Sequence, residues 1–383
     1  MIPYGRQSID AADIEAVVEV LKSDFLTQGP VVPRFEQALA RYCGAEHGVA
    51  VCNATAGLHL ACLALGVGPG DILWTSPITF VASANCALYC GAEVDFVDID
   101  PRTYNLSPDR LAEKLEAAER SGRLPKVVVT VHLTGQSTEM RAIADLARRY
   151  GFKIIEDASH AVGAQYDDQP VGDCRFSDIA VFSFHPVKII TTGEGGMAMT
   201  NDPDLANRMA TLRTHGITRD PDRLQHPADG DWYYEQLALG LNYRMTDIQA
   251  ALGLSQLQRL DDFVERRRAL AARYDAAFGD MPLVRPWQHP DTRSSWHLYV
   301  IRVPAGARAS TFAQLRRSGI GVNVHYIPVT HQPYYRARGF SPADWPEAER
   351  YYEEAITIPL YPDLSEDAQD QVIEAVTQAL ACA

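Results

Sequence analysis

The chain predicts an α/β fold: a large, mostly parallel seven-stranded sheet with helices on both faces, then a smaller C-terminal α/β domain. Three observations carry this expectation. Short apolar runs alternate with helical patterns from Gly48 to Asp157, the rhythm of strand–helix–strand units. The 383 residues are 46% hydrophobic and 22% charged, which is ordinary for a globular protein and enough for two sizeable cores. A long helical stretch, Thr246 to Phe278, separates this rhythm from a second, shorter set of strands and helices. The division is expected at residues 1–245 and 246–383.

In order, Ile9 to Ser23 is amphipathic and reads as a helix, L-T-Q-G-P at Leu26 to Pro30 as a turn, and Val32 to Cys43 as a second helix. Strands Gly48–Cys52, Ile72–Thr75, Val94–Val97, Val127–His132 and Phe152–Ile155 follow. The helices between them are Thr55–Leu65, Phe80–Cys90, Pro108–Ala118 and Met140–Tyr150. Strands Ile179–Phe184 and Met197–Thr200 complete the sheet. Their connection is too short for a helical crossover, so the last strand is expected to run antiparallel to its neighbour. Leu205–Arg213 is helical, and Arg219–Glu235 is a polar, aromatic loop. The stretch Thr246–Phe278 should break once. The second domain is read as strand Leu298–Val303, helix Thr311–Ser318, strand Val322–Ile327 and helix Glu366–Leu380.

A formal net charge of -14 argues against a general nucleic-acid binder, so an anionic ligand must be held locally. The seven cysteines are odd in number and mostly sit in apolar patterns without C-x-x-C pairs. That fits reduced thiols of a cytoplasmic protein better than disulfides or a metal site. No apolar run is long enough to span a membrane, and the opening M-I-P-Y-G-R-Q has no signal-like apolar region.

Chemistry concentrates in S-F-H-P-V-K-I-I-T-T-G-E-G-G, Ser183 to Gly196. The other lysines, Lys22, Lys114, Lys126 and Lys153, lie in polar helices or at strand mouths. Lys188 alone is set among apolar residues beside a glycine-rich turn. Desolvation there favours the neutral amine that a Schiff base needs; the plainer reading is a snorkelling lysine. N-A-T-A-G at Asn53 to Gly57 joins a strand to a helix and could bind a phosphate on bare amides, or simply be capped by Asn53 or Thr55. E-D-A-S-H at Glu156 to His160 puts Asp157 at a strand's C-terminal end, where open α/β sheets bind ligands. Its carboxylate could face a protonated ring nitrogen or merely solvent, and His160 could reach the same ligand. Phe80, just past another strand, could stack on a flat ring or pack in the core. Together these are the parts of a pyridoxal 5'-phosphate (PLP) site.

The chain resembles the DegT/DnrJ/StrS nucleotide-sugar aminotransferases over essentially its whole length. The likeness rests on Y-G-R at the start, L-T-Q-G-P, T-F-V-A-S at Thr79 to Ser83, V-D-I-D-P at Val97 to Pro101 and H-L-T-G-Q at His132 to Gln136. It continues in E-D-A-S-H-A, S-F-H-P-V-K with T-T-G-E-G-G, and G-L-N-Y-R at Gly240 to Arg244. The resemblance implies a fold-type I PLP enzyme. Lys188 would be the Schiff-base lysine and proton shuttle; related sugar dehydratases carry histidine there. Asp157 would pair with the pyridine nitrogen, His160 would lie near the ring hydroxyl, and Phe80 would stack on the ring. Thr55, Ala56 and Ser183 would bind the phosphate. Asn242 would reach the phosphate of a neighbouring subunit, making a homodimer with shared sites. The phosphate loop departs from the S-G-T-x-A of many relatives. H-P-V-K-x-I-T-T-G-E-G-G and V-N-V-H-Y-I-P-V at Val322 to Val329 resemble a branch that aminates C4 of a UDP-linked 4-keto-6-deoxy-N-acetylhexosamine, with L-glutamate as donor, on the route to pseudaminic acid. Tyr4, Asp24, Phe25, Leu26, Thr27, Ala54, His325 and Tyr326 would touch that sugar nucleotide. The alternatives are another nucleotide sugar, of perosamine or 4-amino-arabinose type, and a PLP-binding regulator without turnover.

Overall fold

The computed structural model of the chain describes residues 1–381; Cys382 lies outside them. Helix α1 (Ala11–Leu21) starts at a capping box in which Asp10 and Asp13 each accept from the other's backbone amide. Helix α2 (Val31–Cys43) stops at Gly44, whose left-handed conformation closes it. The alternating rhythm then appears as expected: β1 (His47–Val51), α3 (Ala54–Ala64), β2 (Ile72–Thr75), α4 (Ala82–Tyr89), β3 (Glu93–Phe96), α5 (Pro108–Ser121), β4 (Val127–Val131), α6 (Met140–Tyr150) and β5 (Lys153–Asp157). A small hairpin, β6 (Gln165–Tyr166) and β7 (Gln169–Pro170), precedes β8 (Ile179–Ser183), β9 (Gly196–Thr200) and α7 (Pro203–Leu212).

The seven-stranded sheet has the order β1-β9-β8-β5-β4-β2-β3. Strand β9 runs antiparallel to both β8 and β1, as its short connection requires, and the other pairs are parallel. Every residue of β4, β8 and β9 is buried, because helices cover both faces. The parallel strands therefore deliver their C-terminal ends to one edge, where the loops after β2, β4, β5 and β8 converge.

Beyond α7, β10 (Ile217–Thr218) and β11 (Glu235–Gln236) pair across the base of the aromatic loop. The long helical stretch breaks at Gln258–Arg259 into α8 (Asp247–Leu257) and α9 (Leu260–Ala277). Next come β12 (Thr292–Arg293), which pairs with β6, and β13 (Tyr299–Arg302). They are followed by α10 (Arg308–Arg317), α11 (Pro333–Arg336), α12 (Pro346–Glu354), β14 (Ala355–Ile358) and α13 (Glu366–Ala381). The expected strand Val322–Ile327 does not form. Only Asn323 in it makes a bridge, to Thr357, and the ladder partner of β13 is β14. The Val322–Ile327 segment contributes to the cavity wall instead, and Pro328 follows it with no amide to donate.

Helix α8 packs on α1 and α2 beneath the large sheet. Buried Asp247 at its start accepts from the amides of Gly29 and Val31 at 3.1 Å each. The crossing between cores runs along α9: Leu260, Phe263 and Val264 belong to the core under the large sheet, while Leu270, Ala271 and Tyr274 belong to that around β13 and β14. Residues Ile2 to Tyr4 also join this C-terminal unit. The Ile2 amide donates to Gly319, its carbonyl accepts from Gly321, and the Tyr4 carbonyl accepts from Leu360.

Candidate active site

The strand ends open onto one cavity of about 490 Å³. The large sheet supplies Thr79 and Phe80 after β2, Val131 on β4, Asp157 on β5 and Ser183 on β8; Ala54 and Thr55 come from the start of α3. The C-terminal unit and the segment attached to it add Tyr4, His297, Asn323, His325 and Tyr326. Lys188, after β8, also lines it. This is the carboxyl edge where α/β sheets hold ligands.

Two glycines make the construction possible. A β-carbon on Gly196 would sit 2.7 Å from the Ala54 amide nitrogen, so β9 can lie directly against the head of α3 only without a side chain. Gly135 has φ +102, and a β-carbon there would meet the Ser295 hydroxyl at 2.7 Å and the His160 carbonyl at 3.0 Å. It lets residues 295–298 dock beside His160.

Asp157 is buried, and both of its oxygens are engaged. Ser83 Oγ donates to Oδ2 at 2.5 Å; Ser159 donates to Oδ1 from its hydroxyl at 2.5 Å and its amide at 3.2 Å. Thr79 and Ser83 hydroxyls lie 2.7 Å apart, and since Ser83 is committed to the carboxylate, Thr79 is the donor between them. These bonds fix the plane of the carboxylate in the cavity.

Lys188 is half-buried, and it lines the cavity. Burial lowers its ammonium to about 8, and the Asp157 charge opposes that shift. His160 is buried and held well below its ordinary range, first by burial and then by the Lys188 and His325 charges. Its Nδ1 accepts from the Thr134 amide at 3.3 Å, so the proton of the neutral ring sits on Nε2 and is donated to the Tyr326 hydroxyl at 3.0 Å. Tyr326 is raised by burial, and His325 is pushed down to about 3 by burial and by Lys188. His325 Nδ1 lies 2.8 Å from the Thr357 hydroxyl, and its ring is 5.2 Å from that of Tyr4.

At the head of α3, Asn53 is indeed the cap: its side chain accepts from the Ala56 amide at 2.9 Å. Ala56 is buried outside the cavity lining, so the positions of this turn that face the cavity are Asn53, Ala54 and Thr55. Phe80 is 57% exposed, a wall residue and not part of the core. Other expected residues lie away from the cavity of their own chain. Asp24, Phe25, Leu26 and Thr27 are exposed, and Asp24 and Phe25 line a separate groove beside α1. They are tied to the start of α8, where Thr27 bridges Thr246 and the Leu26 carbonyl accepts from Asp247. Asn242 is exposed and bridges Thr214; it does not cap α8, because Thr246 and Gln249 form that capping box. Sequence reading did not single out Ser83, Ser159, His185, Glu194, His297 and Asn323. Ser83 and Ser159 stood inside quoted motifs, but only the fold turns their hydroxyls onto Asp157.

A half-buried lysine, a clamped aspartate and the head of a helix at the carboxyl edge of such a sheet are the parts of an aminotransferase site. The model of the DegT/DnrJ/EryC1/StrS aminotransferase family matches residues 7–377, and the chain belongs to that family. The spore coat polysaccharide biosynthesis protein SpsC of Bacillus subtilis strain 168 is 43% identical over 382 residues, covering 98% of this chain and 96% of its own. The Spr1654 protein of Streptococcus pneumoniae, solved in its PLP form, superposes with a TM-score of 0.89 at 30% identity, over 100% of this chain and 99% of that one. PseC of Helicobacter pylori, an aminotransferase involved in the biosynthesis of pseudoaminic acid, superposes with a TM-score of 0.91 at 30% identity over 100% of both chains. Among the described residues, no helix is long and apolar enough to cross a membrane.

Proposed function

We propose that the chain transfers the amino group of L-glutamate to C4 of a UDP-linked 4-keto-6-deoxy-N-acetylhexosamine, giving a UDP-4-amino-4,6-dideoxy sugar on the route to pseudaminic acid. The observation that carries the transamination is Lys188: an amine lowered to about 8, in the same cavity as a fully hydrogen-bonded Asp157. The residues fit PLP. Thr55 and Ala54 at the α3 head, with Ser183, suit its phosphate, which the helix dipole also favours. Asp157 suits its ring nitrogen, His160 its ring hydroxyl, and Phe80 its face. When bound, PLP supplies an electron sink for the charge that develops at the donor Cα. Lys188 Nζ takes the Cα proton from the donor and, in the second half-reaction, delivers a proton to C4 of the sugar. Tyr326 and His325 close the cavity against water and present hydroxyl and imidazole groups to the substrate.

The active unit of this reading is a homodimer. Asn242 and the segment Asp24 to Thr27 are neighbours through the Thr27–Thr246 bridge, and both lie outside their own chain's cavity. They would enter the partner's site together, Asn242 at the phosphate and Asp24 to Thr27 at the sugar nucleotide. Tyr89, 54% exposed, stands 5.5 Å from the ring of His59, which in turn reaches Tyr243 beside Asn242. The exposed ring of Tyr89 supplies apolar surface of the kind such a contact needs. The six described cysteines are free thiols, which suits a cytoplasmic location.

A second reading keeps the chemistry and changes the sugar. In that reading the substrate is another 4-keto nucleotide sugar, of perosamine or 4-amino-arabinose type; the 43% identical relative is named for spore coat polysaccharide biosynthesis and not for pseudaminic acid. The test is to incubate PLP-loaded protein with glutamate and UDP-, GDP- and dTDP-linked 4-keto sugars, then identify the amino sugar by mass spectrometry and NMR. The UDP-N-acetyl substrate should be aminated fastest. Preference for a GDP- or dTDP-linked sugar, or for a UDP-linked pentose, would establish the second reading.

A further inference from the structure

His297 lines the cavity, is 4% exposed, and has a buried Nδ1 with no hydrogen-bond partner. Its ring centroid stands 4.4 Å from that of His160. The segment carrying it is anchored to the same turn: Ser295 Oγ donates to the His160 carbonyl at 3.0 Å, and the Leu298 amide to the Thr134 carbonyl at 3.2 Å. Behind it lies Arg267 on α9, 1% exposed and without a carboxylate partner among the described residues. Arg267 Nη1 donates only to backbone carbonyls, of Trp296 at 3.3 Å, His297 at 3.2 Å and Leu360 at 2.8 Å. A buried guanidinium facing carbonyls is an expensive arrangement, and it sits where it sets the main chain at residues 296–297.

We propose that Arg267 and His297 form a positioning pair that fixes the ring of His160: Arg267 sets the backbone at residue 297, and the imidazole of His297, tilted 47° to that of His160, packs against it so that the Nε2–H of His160 points at Tyr326. The inference rests on the aminotransferase reading. The geometry suits a neutral pair. The groups facing it are Lys188, His325, Tyr326 and Arg267, and burial together with the neighbouring positive charges keeps both imidazoles uncharged. On His297, Nδ1 is then the lone-pair side and Nε2 carries the proton, since an unmet acceptor costs less than an unmet N–H. His297 need not touch the reacting atoms. Its role is to keep His160 dry, fixed in orientation and singly protonated.

The experiment has two arms. In the first, unliganded protein labelled with ¹⁵N-histidine is titrated by NMR. His160 should remain a neutral Nε2–H tautomer to pH 5, and His160 protonating between pH 6 and 7 would overturn the proposal. In the second, His297→Ala and His297→Phe are loaded with PLP and compared with wild type for kcat, sugar KM and pH profile. His297→Ala should lower kcat roughly tenfold with little change in sugar KM, and its acid limb should move to higher pH as His160 becomes wetter and easier to protonate. His297→Phe, which keeps a flat ring, should restore most of the rate and the wild-type acid limb. A wild-type profile in His297→Ala, or a phenylalanine variant no better than alanine, would refute the positioning role. If His297→Ala does not fold, the phenylalanine variant and the wild-type titration still decide. Wild-type protein that binds no PLP would instead refute the aminotransferase reading, on which the NMR arm does not depend.

Discussion

At the scale of single residues, Lys188 and Asp157 pull in opposite directions, and each can be tested alone. Lys188 binds its proton more weakly folded than unfolded, at about 8 against an ordinary 10.5. Between those values the unfolded chain holds more protons, so this group's contribution to stability rises with pH through that window and is a net cost below it. Lys188→Met should therefore raise the stability of the unliganded protein at pH 7, by about 1–2 kcal/mol once the wetness of an open cavity is discounted. The same variant should lose all turnover and all borohydride-fixed cofactor. An unchanged or lower melting temperature would contradict the burial argument. Asp157→Asn keeps the shape: its Oδ1 still accepts from the Ser159 amide and hydroxyl, and the Ser83 hydroxyl can turn to accept from its Nδ2, so melting should be near wild type. Turnover should fall by on the order of a hundredfold or more, because a neutral amide cannot hold a protonated ring nitrogen. Near-normal rates would make Asp157 a strand cap only. Both residues were legible in the sequence because their neighbours are wrong for solvent: a lysine among isoleucines, an aspartate ending an apolar strand. Ser83 and Ser159 were not, since a serine's neighbours in sequence say nothing about where its hydroxyl turns.

At the scale of elements, the large sheet was readable because periodicity and spacing act locally. The antiparallel β9 followed from a connection too short for a helix. The C-terminal unit was harder to read. V-N-V-H-Y-I alternates as a strand does, yet its polar residues face a cavity and its ladder place is taken by β14. That strand leaves no sequence mark of its start: α12 runs into it at Ala355 with no turn between. The seam between β9 and α3 makes the sharpest element-level prediction. Gly196→Ala places a carbon within 2.8 Å of both the Ala54 amide nitrogen and the Asn53 carbonyl carbon, atoms of a helix head that cannot swing aside. Overpacking of this kind costs about 1–3 kcal/mol, and here it would also displace the turn at the α3 head, where the phosphate is proposed to bind. The variant should bind PLP more weakly by equilibrium dialysis while its far-UV circular dichroism stays native. Wild-type affinity would mean that the α3 head does not hold the phosphate.

At the scale of the whole molecule, the exposed Asn242 and Asp24–Thr27 lie outside their own chain's cavity, and the proposed homodimer would carry them to the partner's. Composition could not reveal a shared site, because nothing in a residue's neighbours tells which copy it serves; only the likeness of G-L-N-Y-R raised the idea. Mixing Lys188→Ala subunits with subunits carrying an inactivating Asn242 substitution separates the readings. If sites are shared, a mixed dimer has one site with both defects and one with neither, and activity returns towards half per mixed dimer. If Asn242 serves its own chain, every site keeps a defect and no activity returns once subunit exchange is verified. The short segment Ile2 to Tyr4 sets a further constraint, one of timing. Its backbone partners are Gly319, Gly321 and Leu360, and Tyr4 is part of the cavity wall. On the ribosome, Ile2 must wait, unpaired, until residues 319–321 have cleared the exit tunnel, and Tyr4 until residue 360 has, while the strands of the large sheet can already pair. The wall that Tyr4 adds to the cavity is thus hung late, and a nascent chain stalled before residue 319 should hold a folded sheet around an unfinished site.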